Sequence, residues 1–321
     1  MKLIRLAAIS AVAFAQAPEP RTVPKAQFEK WMAELNNWGR WGKDDEKGAL
    51  NLITNESRRK ASRLVREGFA VSLSHDAEKE TAPDNPRPFV HQMLSHSGTP
   101  NASSHSDLFT VAHHGLAHTH LDSLCHFFWN GKMYNGFPVG EVTAQGARKL
   151  SVLNAKAGIY ARAVLMDIAE LKGVPYLEPG TAVYPEDLDA WEKKSGARVG
   201  PGDVMLLRTG RWAHRVAKGA QPGQRLPGLH ASCIPWLKKR DIAVLGSDAA
   251  SDVRPSGIEG VSQPIHIFTL AGLGAWIRDN GDYEAVARAA RERKRWEFLI
   301  TAAPLAVPGA TGSAMNPIAI F

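Results

Sequence analysis

Apolar residues recur along this chain with two alternating periods. Residues 26–35 place Phe28, Trp31, Met32 and Leu35 at helical spacing, which predicts an amphipathic helix. Asn55 reads as the cap of a helix over 55–67 that Gly68 ends. Residues 69–74 alternate as a strand does, and 90–95 and 108–113 read as strands leading into a histidine-rich stretch. Residues 160–168, 204–208 and 242–245 are short apolar runs of the kind that form buried strands. Pro185, Glu186 and Asp187 open a helix that closes near Gly196. Further helices are expected over 230–240 and 282–293, with final strands over 298–305 and 315–320. Strands and helices alternate without an intervening linker. The reading is therefore one α/β domain over 37–321, preceded by a linker and helix over 18–36.

Composition changes this picture little. The 321 residues are 44% hydrophobic and 22% charged, which excludes extensive disorder. The net charge of +7 is spread over short basic clusters without stacking aromatics, so no nucleic-acid partner is expected. Two cysteines, Cys125 and Cys233, exclude a disulfide scaffold and read as buried thiols. The first 17 residues have the form of an export signal: Lys2 and Arg5, an apolar core over 6–14, then Ala15-Gln16-Ala17. The expected location is periplasmic or secreted, or cytoplasmic if that signal does not function. No stretch is long enough to span a bilayer, so no membrane partner is expected.

The chemistry concentrates at residues 115–127, Gly-Leu-Ala-His-Thr-His-Leu-Asp-Ser-Leu-Cys-His-Phe. In an extended strand, side chains two apart share a face, about 7 Å from one to the next. His118, His120 and Asp122 then form a row suited to a divalent ion such as zinc or manganese. His126 and His266 are candidate catalytic proton carriers, since an imidazole can both take and give a proton near neutral pH. His113 and His114 are adjacent, so a strand directs at most one of them at the site; His114 is a further metal or supporting candidate. Trp38, Trp41 and Phe127 are candidate walls of a substrate pocket, with His230 as a candidate contact, and Asp248 and Asp252 are candidates either to order the loop near His266 or to serve as a helix cap or turn. A serine-nucleophile elbow, a phosphate-cradling glycine loop and a dinucleotide fingerprint are absent from the sequence.

These residues resemble the cyclase family of kynurenine formamidase-like and isatin hydrolase-like enzymes, whose hallmark is His-x-Gly-Thr-His-x-Asp followed by a further His. Residues 116–127 match it, and segments 37–53, 131–136, 227–248, 264–266, 274–280 and 303–321 extend the likeness over most of the chain. The resemblance implies a swivelling β/β/α domain with a mixed sheet and surrounding helices, assembled as a homodimer or homotetramer. It implies a metal-dependent hydrolase of an amide or formamide bond, arylformamidase-like, with ring opening of a cyclic amide, imide or lactone as the alternative and a non-catalytic metal-holding protein as the contrasting class. The substrate would be a small, aromatic or cyclic molecule. The family's ligands fall on His120 and Asp122, its later His on His266, its late Glu on Asp279, and its catalytic His on His126. Its first ligand falls on Leu116, which cannot bind metal, and its Gly falls on His118, which is expected to supply the missing imidazole. Because Asp279 is one methylene shorter than Glu, one ion per site is expected rather than two.

Overall fold

The computed structural model describes residues 21–94, 98–99 and 101–321. The expected export signal lies outside the described residues.

The apolar runs assemble into a nine-stranded mixed sheet. In chain order its strands are β1 (Ala70–Ser72), β2 (His120–Asp122), β3 (Ile159–Asp167), β4 (Val204–Arg208), β5 (Val244–Ser247), β6 (Trp276–Asp279), β7 (Glu297–Ala302), β8 (Gly312–Ala314) and β9 (Ile318–Ile320). Across the sheet the order is β1-β9-β7-β3-β4-β5-β6-β2-β8. The four central strands β3 to β6 run parallel, and antiparallel pairs extend the sheet on both sides. Every residue of β4, β5 and β6 is buried, as expected of parallel strands covered on both faces.

Helix α1 (Lys25–Glu34) buries Phe28 and Met32, two of the four apolar residues whose spacing predicts it. Helix α2 (Asn55–Ser62) is capped by Thr54, whose Oγ1 accepts from Ser57 N at 3.1 Å, and it ends earlier than the sequence suggests. Helix α3 (Pro185–Ser195) buries Leu188 and Trp191, and Trp191 Nε1 donates to Leu165 O of β3 at 2.8 Å. Gly48 is required where the chain crosses the core. Its φ is +58°, and a Cβ there would meet Gly274 O at 2.1 Å.

Several elements depart from the sequence expectation. β6, β8 and helix α4 (Arg211–Lys218) are not foreseen, and the histidine-rich stretch is extended over three residues only. Residues 90–94 and 106–110 do pair, but as a separate antiparallel ribbon whose ten residues are all exposed. Both cysteines are free and buried. No helix among the described residues is long and apolar enough to cross a membrane.

Candidate metal centre

The short strand β2 carries two donors on one face, His120 and Asp122. Its neighbour β6 places Asp279 directly opposite His120, which adds a carboxylate to the same face by register. On the other side, Gly312 and Ala314 of β8 stand opposite Asp122 and His120. Their small size matters. A Cβ on Gly312 would lie 2.8 Å from His114 Cε1 and 3.2 Å from His113 Nε2, so glycine leaves the space these rings fill.

Two groups of three potential ligand atoms result, His114–Asp122–His126 and His120–Asp122–Asp279. Within each, the atoms lie within 4.8 Å of one another. Asp122 belongs to both. His120 donates from Nδ1 to His118 O at 2.8 Å, which leaves Nε2 as the lone-pair nitrogen, 3.3 Å from Asp122 Oδ1. His114 Nδ1 lies 2.8 Å from Asp122 Oδ1, but the approach is misaligned, and both buried atoms lack a hydrogen-bond partner. Unpaired donor atoms of nitrogen and oxygen converging on one point are the chemistry a divalent cation satisfies, so the residues fit such an ion.

The electrostatics agree with a carboxylate kept charged. Burial opposes ionisation of Asp122, but the imidazoles of His120 and His126 outweigh it and hold its pKa well below the usual carboxylate range. His126 stacks on His114 with ring centres 3.8 Å apart, and burial pushes its pKa down to about 4. His266 is held at both ends: Nδ1 is 2.5 Å from Asp252 Oδ2 and Nε2 is 2.8 Å from Asp279 Oδ2. Burial works against its charge, yet Asp279 and Asp252 raise its pKa to about 10. Asp252 also accepts from the backbone N–H of Ile265 and His266, which fixes the single helical turn carrying the ring.

The sequence-predicted residues separate as follows. His120, Asp122, Asp279, His114, His126, His266 and Phe127 line one cavity of about 190 Å³. His118 joins neither donor group: it precedes β2, so strand parity does not govern it, and its ring faces Phe89 at 6.1 Å. His113 and His114 do not face opposite ways. They lie outside any strand, and their rings stand 4.4 Å apart beside the donors. Trp38 is placed elsewhere because its Nε1 donates to Ala271 O, and Trp41 carries Arg40 on its face. His230 bonds Arg21 O and Ser232 Oγ, away from the cavity. Asp252 orders the His266 turn as the sequence suggests. Asp248 takes the helix-cap role, accepting from the N–H groups of Thr209, Gly210 and Arg211 at the start of α4. Arg254 and Gln263, which also line the cavity, carry no sequence signal of their own.

We expect His114→Ala to lower bound divalent metal and His118→Ala to leave it unchanged, measured by elemental analysis after dialysis. Equal loss in both variants would reject the assignment of His114 over His118.

The family model called Cyclase matches residues 65–252. A crystal structure described as a novel cyclase is 29% identical, with a TM-score of 0.81, over 90% of this chain and 99% of that one. Isatin hydrolase A from Ralstonia solanacearum is 22% identical with a TM-score of 0.56, over 78% of this chain and 91% of its own. An isatin hydrolase bound to the product analogue thioisatinate is 17% identical with a TM-score of 0.54, over 84% and 97%. None of the curated proteins matches the chain.

Proposed function

Because the chain belongs to the cyclase family, we propose that it is a metal-dependent hydrolase of a carbon–nitrogen amide bond in a small aromatic or cyclic substrate. The observation that carries this reading is the convergence of His114, His120, Asp122 and Asp279 on one cavity, with buried ligand atoms left unpaired. In the proposal these four residues hold one divalent ion, zinc or manganese. Such an ion, when bound, supplies Lewis acidity and an acidified water.

The chain's own groups then have distinct tasks. Hydrolysis joins a water oxygen to the carbonyl carbon, breaks the C–N bond and moves one proton to the leaving nitrogen. His126 is assigned that proton transfer because its half-buried ring lines the cavity with Nε2 3.9 Å from Asp122 Oδ1. His266 is assigned a positioning role. Both of its nitrogens are engaged, and with Ser251 Oγ it orients the Asp279 carboxylate. Phe127, edge-on to His126 at 4.9 Å, offers a wall for a flat ring.

An N-formyl aryl amine is one substrate class for this site, and a cyclic amide, imide or lactone is the second. The second is favoured by the fold shared with isatin hydrolases. The test is metal analysis followed by turnover of formanilides, lactams and lactones by the metal-loaded and chelated protein. Turnover that needs the ion supports the reading. Tight metal with no turnover of any compound would instead identify a binding protein. A homo-oligomer that covers the apolar ribbon belongs to the same proposal, since Val90, Met93, Leu108 and Phe109 are more than half exposed. A monomer in sedimentation would remove that part.

A further inference from the structure

Arg254 is the cationic side chain of this cavity that the reaction does not use. The residue is half-buried, and its chain position is rigid: Arg254 N donates to Leu226 O at 3.0 Å, and Leu226 N donates back to Arg254 O at 3.1 Å. It lies two residues after Asp252, the carboxylate that anchors the His266 turn. Its side chain makes one hydrogen bond among the described residues, from Nη1 to Gly223 O at 3.3 Å. Its Nε is buried and has no partner.

The surroundings explain why no internal acid neutralises it. The carboxylates of the same cavity are already engaged, Asp122 with the histidine cluster and Asp279 with His266 and Ser251. Leu116, at the position where the family's first ligand is expected, packs against Gly223 next to the guanidinium: a Cβ on Gly223 would meet Leu116 Cδ1 at 2.4 Å and Arg254 Nη1 at 3.6 Å. This corner is therefore closed to an imidazole and holds a guanidinium beside an apolar side chain. Arg254 also lines the broader surface groove beside residues 255–262, so it stands where the metal cavity meets solvent.

A guanidinium that lines a cavity with one hydrogen bond made by its fork matches a planar anion, because its donors are fixed in a plane. We infer that Arg254 selects substrates that carry a carboxylate beside the scissile amide, with Gln263 as the neighbouring neutral donor. This inference rests on the hydrolase reading above, which by itself requires no charge on the substrate.

The test compares 2-formamidobenzoate with formanilide, which differ by one carboxylate, on metal-loaded wild type, Arg254→Gln and Arg254→Lys. The wild type is expected to prefer the acid. Arg254→Gln is expected to lower that preference, as the ratio of the two kcat/KM values, by about 10–100-fold, chiefly through KM. Arg254→Lys, which keeps the charge but loses the fork, should fall between the two. Equal loss on both compounds, or no wild-type preference, overturns the inference. If the wild type hydrolyses neither compound, the formamide substrate class fails, and calorimetry with benzoate and benzamide decides the inference alone. Benzoate binding that Arg254→Gln abolishes supports it, and benzoate that does not bind, or binds both proteins equally, overturns it.

Discussion

Asp122→Asn is expected to weaken divalent-metal retention more than about 100-fold, exceeding the cost of losing a residue that merely supports a ligand. Metal-dependent turnover should fall with it. Asp122 is the one residue common to both donor groups, and it is about 1% exposed. Asparagine keeps the shape and one oxygen but removes the charge that three surrounding imidazoles face. The metal-free protein should lose stability as well. The surrounding imidazoles hold the Asp122 pKa well below the usual carboxylate range, so the fold favours the ionised form, and a neutral amide in its place should lower the metal-free melting temperature at neutral pH. Equilibrium dialysis and thermal melting with and without metal separate the two effects. A variant that binds metal as the wild type does would show that Asp122 serves the fold and not the ion.

The largest stability effect is expected far from the cavity. Arg208→Ala should cost about 3–5 kcal/mol, because it strands a buried carboxylate rather than because the ion pair itself is strong. Arg208 sits at the end of β4 with about 5% of its side chain exposed. Its Nη1 donates to Asp167 Oδ1 at 2.7 Å, and its Nη2 and Nε donate to Glu284 at 2.7 and 3.1 Å. Asp167 is fully buried. Arg291, 3.4 Å from Asp167 and 40% exposed, offers only partial compensation. Burial disfavours the guanidinium's charge, but Glu284 and Asp167 more than offset this and raise its pKa. Urea unfolding followed by circular dichroism should show a lower midpoint with an unchanged slope. A loss below about 1 kcal/mol would mean that the site relaxes and lets water reach Asp167.

Local order alone made a large part of this molecule legible. The apolar runs of β3 and β4 and the capped helix α3 lie within a residue or so of where periodicity and Pro185 place them. Each depends on its own side chains: β-branched and apolar residues that suit a buried strand, and an acidic first turn that suits a helix start. The His120–Asp122 pair is equally local, since strand parity puts both on one face whatever surrounds them.

Tertiary structure decided the rest of the site. Asp279 joins the donors because β6 pairs with β2 in a given register. That pairing depends on packing between segments distant in the chain, which no local pattern encodes. His114 and not His118 lies in a donor group because the backbone before β2 is irregular, so alternation gives no guide, and because Gly312 leaves room for the ring. His266 meets two carboxylates from separate segments, Asp252 of a loop and Asp279 of β6, and Arg254 enters the cavity through a bridge between Leu226 and its own backbone. The sequence alone determined most of the strands and helices and the His120–Asp122 pair, because those follow from the period of the backbone. Only the folded chain decided that His114, Arg254 and Gln263 join the cavity and that His118 does not, because loop dihedrals and long-range strand pairing settle where side chains converge.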